Sequence, residues 1–134
     1  MSRAFPDTSF YQALLNPGDK WHASALELSG TFQGQLVTSE YVLCELGALM
    51  SRGHLRALFL ALVQELESAA AVEVISASHE YFQEGLALFW IRPDKEWSLT
   101  DCISFVLMQH RDITDALSTD RHFEQAGFHP LLRW

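Results

Sequence analysis

Short apolar runs alternate with longer segments of helical periodicity along this chain, a pattern that predicts α/β architecture with a largely parallel sheet. Arg3–Pro6 reads as a first strand and Thr8–Leu15 as a short helix, stopped by Asn-Pro-Gly at positions 16–18. Asp19 offers a cap for a second helix reaching about Ser29, with Gly30 as its terminator. Gln35–Thr38 is a second strand, Ser39–Ser51 a helix, and Gly53 divides that helix from another running to about Ala70. The run Val72–Ile75, rich in β-branched residues, predicts a third strand. Ser78 caps a helix that ends near Ile91, before a Pro93-Asp94 turn. Ser98-Leu-Thr-Asp101 has the form of a capping box, with Asp in place of the usual Glu or Gln, and opens a helix to about His110. Asp115–Ser118 reads as a fourth strand, Asp120–Gln125 as a helical turn, and Gly127–Leu132 can add a last strand. No repeat, low-complexity tract or linker breaks the pattern, so residues 1–134 read as one domain.

Composition narrows the class. Apolar residues make up 49% and charged residues 19%, an ordinary globular balance. No basic segment followed by an apolar core opens the chain. The longest apolar stretches, around Leu58–Val63 and Leu86–Ile91, are far shorter than a membrane span. A soluble cytoplasmic protein is expected, with Cys44 and Cys102 as reduced core thiols. The net charge of −8, with Lys20 and Lys95 the only lysines, counts against broad electrostatic affinity for nucleic acid. It leaves room for a nucleic-acid enzyme whose acids are offset by metal and whose seven arginines line one rim.

Four carboxylates stand out by position: Asp7, Glu45, Asp101 and Asp120 each sit at the edge of an apolar segment. Asp7 and Asp120 fall at the carboxyl ends of the first and fourth strands, the edge where open parallel sheets bind ligands. Glu45 and Asp101 lie on helices able to cover that edge. Brought together, four acids repel one another and suit a divalent cation. Each also has a bland reading. Asp7 can cap the Thr8 helix, Asp101 can complete the Ser98 box, and Asp120 can cap the turn before Phe123; for these three, structural and functional readings stand level. Glu45 is harder to dismiss, because Tyr41, Val42, Ala48 and Leu49 surround it at helical spacing. An arginine salt bridge is its simplest alternative. Pro6 is an oddity of another kind, since it removes a hydrogen-bond donor from a strand that should be central.

Other candidates carry less. The six histidines show no HxH or HExxH spacing; His122 lies nearest the acidic edge, where it can meet substrate. Trp21, Trp90, Trp97 and Trp134 read as core or surface-cap aromatics. Arg92 and Arg121 flank the edge and can reach phosphate, with solvated arginine as the default. GxGxxG, P-loop, GxSxG and paired CxxC motifs are all absent from the sequence.

The segments FPDTSFYQALLNPGD, LVTSEYVLCELG, WSLTDCISFVLMQ and ALSTDRHFEQAGF, in that order, resemble the successive motifs of the PIN-domain family. In its compact form the chain is similar to VapC-type toxins of toxin–antitoxin pairs. The resemblance covers nearly the whole chain. It implies an α/β/α sandwich around a mostly parallel sheet of four to five strands, and metal-dependent endoribonuclease activity. It places the family's four acids on Asp7, Glu45, Asp101 and Asp120, with Mg²⁺ or Mn²⁺ as cofactor. Asp7 and Asp101 would be the principal ligands, with Glu45 and Asp120 binding directly or through water. Thr8, Ser9, Thr119 and Arg121 then become candidate substrate contacts. RNA, a small antitoxin protein and a second copy of the chain are the expected partners. Pro6, in place of the usual aliphatic residue, and the acidic net charge depart from the family pattern. A non-catalytic regulatory or protein-binding module is the rival reading, and retention of all four acids argues against it. A phosphoacceptor receiver domain ranks last, because neither lysine lies at the end of a predicted strand.

Overall fold

Parallel pairing organises the molecule around its first strand. The computed structural model describes residues 2–132, so the aromatic expectation for Trp134 lies outside the described residues. In chain order the elements are β1 (Arg3–Pro6), α1 (Thr8–Leu15), α2 (His22–Thr31), β2 (Gln35–Ser39), α3 (Glu40–Leu49) and α4 (His54–Ser68). They continue as β3 (Val72–Ile75), α5 (His79–Ile91), α6 (Leu99–His110), β4 (Asp115–Leu117), α7 (His122–Gln125) and β5 (His129–Pro130). Every strand pair is parallel, and the sheet order is β3-β2-β1-β4-β5. Helices between successive strands cover the sheet, giving the α/β/α sandwich that the alternating pattern predicts.

The chain builds outward from β1 to β2 and β3, then returns to place β4 on the other side of β1. The carboxyl ends of β1 and β4 therefore flank the point where strand order reverses. Pro6 is tolerated there for a local reason. The β1–β2 ladder pairs Arg3 with Gln35 and Ala4 with Leu36, whereas β1–β4 pairing continues to Pro6 and Leu117. The Asp7 amide donates to the Leu117 carbonyl at 3.1 Å, and the Pro6 carbonyl accepts from Thr38 Oγ1 at 3.0 Å. The missing proline donor thus faces β2 beyond the end of that ladder, and a side-chain bond takes over.

Beneath the edge, the core is aromatic. Phe105 of α6 meets Phe123 of α7 edge-to-face at 4.9 Å and Trp97 at 5.0 Å, while Phe123 stacks on Phe5 of β1 at 6.4 Å. Phe123 is fully buried, which contributes about 1.5–3 kcal/mol and pins a four-residue helix that could not stand alone. Gly127, at φ +97°, then turns the chain into β5.

Three boundaries depart from the sequence expectation. Asp19 caps the turn before α2 rather than the helix: its Oδ1 accepts the Trp21 amide at 2.8 Å, and α2 starts at His22 with no side-chain cap. Gly30 lies inside α2, whose start is set by His22 Nδ1 lying 2.8 Å from the Ala13 carbonyl on α1. The last strand contracts to His129–Pro130, an edge position where proline is tolerated. Of the two thiols, Cys102 is buried as expected and Cys44 is exposed.

Candidate active site

Asp7 follows β1 and N-caps α1, so one residue serves strand end, helix start and charge. Its Oδ1 accepts the Phe10 amide at 3.2 Å and the Ser9 hydroxyl at 2.7 Å, and its Oδ2 accepts the Ser118 hydroxyl at 3.0 Å. The two serine oxygens, 3.2 Å apart, accept in turn from the loop after β4: Ser9 from the Thr119 amide at 2.9 Å, Ser118 from the Asp120 amide at 3.3 Å. Hydroxyl protons point at Asp7 and hydroxyl lone pairs at the loop. This network locks the β1–α1 and β4–α7 connections together. Burial dominates Asp7 all the same. Desolvation, with the Asp120 charge adding to it, pushes its pKa up to about 8 against the lowering effect of those three hydrogen bonds.

Asp101 occupies the third position of α6 and closes the capping box with Ser98. Ser98 Oγ accepts the Asp101 amide at 2.9 Å, and Asp101 Oδ2 accepts the Ser98 amide at 3.0 Å. The same Oδ2 lies 2.8 Å from His122 Nδ1. Asp120 Oδ1 accepts the His122 amide at 3.0 Å, which folds the Asp-Arg-His turn back on itself. Asp101, Asp120 and His122 each offer a ligand atom within 4.8 Å of the others. Burial first, then Asp120, holds the Asp101 pKa above the usual carboxylate range, opposed by the Ser98 amide and by His122. Asp120 is thus the shared neighbour of Asp7 and Asp101.

The structure brings Asp7, Asp101 and Asp120 to the β1/β4 switch point. Among the described residues no lysine or arginine forms an ion pair with any of them. Glu45 is placed differently. It is only half-buried on α3, and among the described residues it has no hydrogen-bond or ion-pair partner, so the buried apolar face expected for it is not what surrounds it. Its helix packs against both α1 and α6. Ser9 is absorbed in the Asp7 network, Thr119 contributes its amide to it, and Arg121 is exposed beside Asp120.

Two further hydroxyls lie at this end of the sheet, that of Thr8, already a candidate substrate contact, and that of Tyr11, which had no sequence signal. Thr8 Oγ1 and Tyr11 Oη are buried without a hydrogen-bond partner, and Tyr11 feels the Asp7 charge. His122 was visible only as a neighbour. The spacing that carries it is Asp-x-His, outside the usual histidine ligand motifs. An apolar cleft of about 650 Å³ between α3, α4 and β3, lined by Leu43, Phe59, Leu60 and Val63, contains none of the three acids.

Comparison with known proteins places the fold. The family model for the PIN domain matches residues 4–129. The 23S rRNA-specific endonuclease VapC20 of Mycobacterium tuberculosis is 35% identical over 128 residues, spanning 92% of this chain and 94% of that protein. The crystal structure of M. tuberculosis VapC20, described as a sarcin-ricin loop cleaving toxin, superposes with a TM-score of 0.85 at 28% identity, covering 95% of this chain and 96% of that one. VapBC2 of Rickettsia felis, solved bound to a DNA fragment from its promoter, shares the fold with a TM-score of 0.64 at 15% identity over 96% of each chain.

Proposed function

The chain belongs to the PIN-domain family, and from that premise we propose that it is a metal-dependent endoribonuclease, the toxin of a type II toxin–antitoxin pair. The observation that carries the reading is the meeting of Asp7, Asp101 and Asp120 at the switch point with, among the described residues, no basic partner but His122. Buried like charges are costly unless a cation joins them. The donor set fits a hard divalent ion. Asp101 Oδ2 and Asp120 Oδ1 are committed to internal hydrogen bonds, which orients each carboxylate and leaves its other oxygen for a ligand. Mg²⁺ or Mn²⁺ held there would supply the charge that activates water and offsets the negative charge developing on a phosphate oxygen.

The remaining work belongs to the protein. Ser9 and Ser118 hold Asp7 against the β4–α7 loop, so its carboxylate cannot swing away from Asp120. Ser98 and His122 hold Asp101 from two sides. Glu45, on the helix packed against α1 and α6, is the fourth acid, acting through water or after a side-chain rotation. Thr119 and the exposed Arg121 form the rim where substrate phosphate arrives, with Ser9 half-buried beside them and the Thr8 hydroxyl buried below. The VapC20 likeness supports ribosomal RNA as the substrate class and the cytoplasm as the place of action. No helix among the described residues is long and apolar enough to cross a membrane. A small antitoxin is the expected protein partner, and the apolar cleft beside α4 is a surface able to receive it. The exposed Phe82 and Leu86 on α5 suit a homodimer.

RNA cleavage in Mg²⁺ or Mn²⁺ by the wild type, Asp7→Asn and Asp101→Asn tests the reading. Loss of at least about a hundredfold in kcat in both variants is expected. Equal activity in all three would sink the assignment. No activity in any, alongside tight binding of an antitoxin, would favour the non-catalytic module.

A further inference from the structure

Beside the acidic centre lies a second concavity of about 330 Å³, lined by Phe89, Trp90, Arg92, Lys95, Trp97 and Cys102. Its composition is unlike the rest of this acidic surface. Trp90, at the end of α5, is 81% exposed, the most exposed of the large apolar side chains among the described residues. Trp97 forms the floor, 6% exposed, with the Arg92 guanidinium 5.1 Å and the Lys95 ammonium 6.0 Å from its ring centroid. The Asp94 carboxylate grips Arg92 through two hydrogen bonds of 3.0 Å, which fixes the guanidinium in place at the rim. Lys95 forms no ion pair among the described residues. A chain with nine lysines and arginines in 134 residues has placed two of them, and two of its four tryptophans, around one small hollow.

The hollow is joined to the catalytic edge by covalent and hydrogen-bonded links. Cys102 follows Asp101 directly, and Trp97 precedes the Ser98 cap that holds Asp101. Trp97 Nε1 donates to Gln125 Oε1 at 3.0 Å, which ties the floor to α7, the helix that begins with His122. A ligand with one end in the hollow is therefore within a short span of Asp101.

Resting on the ribonuclease reading, we propose that this hollow is a subsite for one unstacked RNA nucleotide flanking the scissile bond. The base stacks on Trp90, and its phosphate meets Lys95 and Arg92. The volume lies at the small end of ligand pockets, about 300–1,000 Å³, which suits a single nucleotide and excludes a duplex. Aromatic stacking with nearby cations is how proteins hold single-stranded RNA without a broad basic surface. That resolves the conflict between a net charge of −8 and an RNA substrate: affinity is local. The substrate class is single-stranded or looped RNA.

Trp90→Ala and Lys95→Ala, both at surface positions, test the subsite in the full-length protein. Binding of a short fluorescein-labelled single-stranded RNA is measured in EDTA by anisotropy, and cleavage of the same RNA is measured in Mn²⁺. Trp90→Ala is expected to weaken binding about tenfold and raise KM about tenfold, with kcat held within about twofold. Lys95→Ala lowers the slope of log affinity against log salt by about one. RNA binding quenches tryptophan fluorescence in the wild type and far less in Trp90→Phe with a shortened RNA lacking the flanking base. Unchanged binding in both alanine variants overturns the subsite, whatever happens to cleavage. If Trp90→Ala instead abolishes self-association or antitoxin binding while RNA affinity stays constant, the hollow is a protein interface and the proposal fails. If the wild type binds RNA through Trp90 and never cuts it, the nuclease reading falls and the subsite's place beside a scissile bond falls with it, leaving Trp90 as an RNA contact alone. If it does not bind RNA at all, both fall.

Discussion

Asp7 carries the energetic tension of the molecule. Its carboxyl is buried, hydrogen-bonded three times and close to Asp120, and the balance raises its pKa to about 8 in the metal-free protein. The unfolded chain releases that proton near pH 4, the native metal-free chain only near pH 8. Between these values the native state binds the extra proton, so stability contributed by this group is complete below about pH 4 and is lost as pH rises towards 8. Asp101, shifted in the same direction, adds to the slope. Asp7→Asn keeps an acceptor for the Phe10 amide and removes the charge. In EDTA, denaturant melts are expected to show Asp7→Asn more stable than wild type by roughly 1–3 kcal/mol at pH 8, and nearly equal at pH 4.5. A wild type whose metal-free stability rises between pH 5 and 8 would contradict the burial argument.

At the scale of elements, the acids are held by junctions rather than by element interiors, and that explains what could be read from the sequence. Strand-to-helix handovers announce themselves locally. Asp7 after Pro6, Ser98 three before Asp101, and Asp120 after a short apolar run were legible because caps and strand ends have short-range signals. Glu45 is less buried than its apolar sequence neighbours imply, because Cys44, Ala48 and Leu49 of the same helix face solvent. His122 needed a contact with Asp101, 21 residues away in sequence, that no local pattern encodes. The α5–α6 pairing was also out of reach. A Cβ on Gly85 would lie 2.3 Å from Ile103 Cγ1 and 3.0 Å from its Cα, so glycine is needed there for close approach of two helices. Because α6 carries Asp101, Gly85→Ala is expected to cost about 1–3 kcal/mol through overpacking, read as a lowered denaturation midpoint at unchanged m-value. It should also reduce cleavage, with kcat falling more than KM rises, since the displaced group is an acid and not a substrate contact. A variant as stable as wild type would show that α5 and α6 can separate freely.

For the whole molecule, metal and fold are coupled through the same switch point. The sheet order places two strand ends side by side, and three carboxylates meet there in a chain that already carries a charge of −8. A divalent ion bound only by the native state stabilises it by about 2.7 kcal/mol at one hundred times its dissociation constant. For a chain of this length that amounts to a rise in Tm of roughly 5–10 °C. Proton and metal compete for Asp7, so the rise should be larger at pH 8 than at pH 6, and Asp7→Asn should flatten that difference. General screening of the net charge is a separate effect, equal for any salt of the same ionic strength. Melting in Mn²⁺ against ionic-strength-matched KCl separates the two. A shift that KCl reproduces in full would mean that the acids meet without holding a metal, and the structural basis for hydrolysis at this edge would be gone.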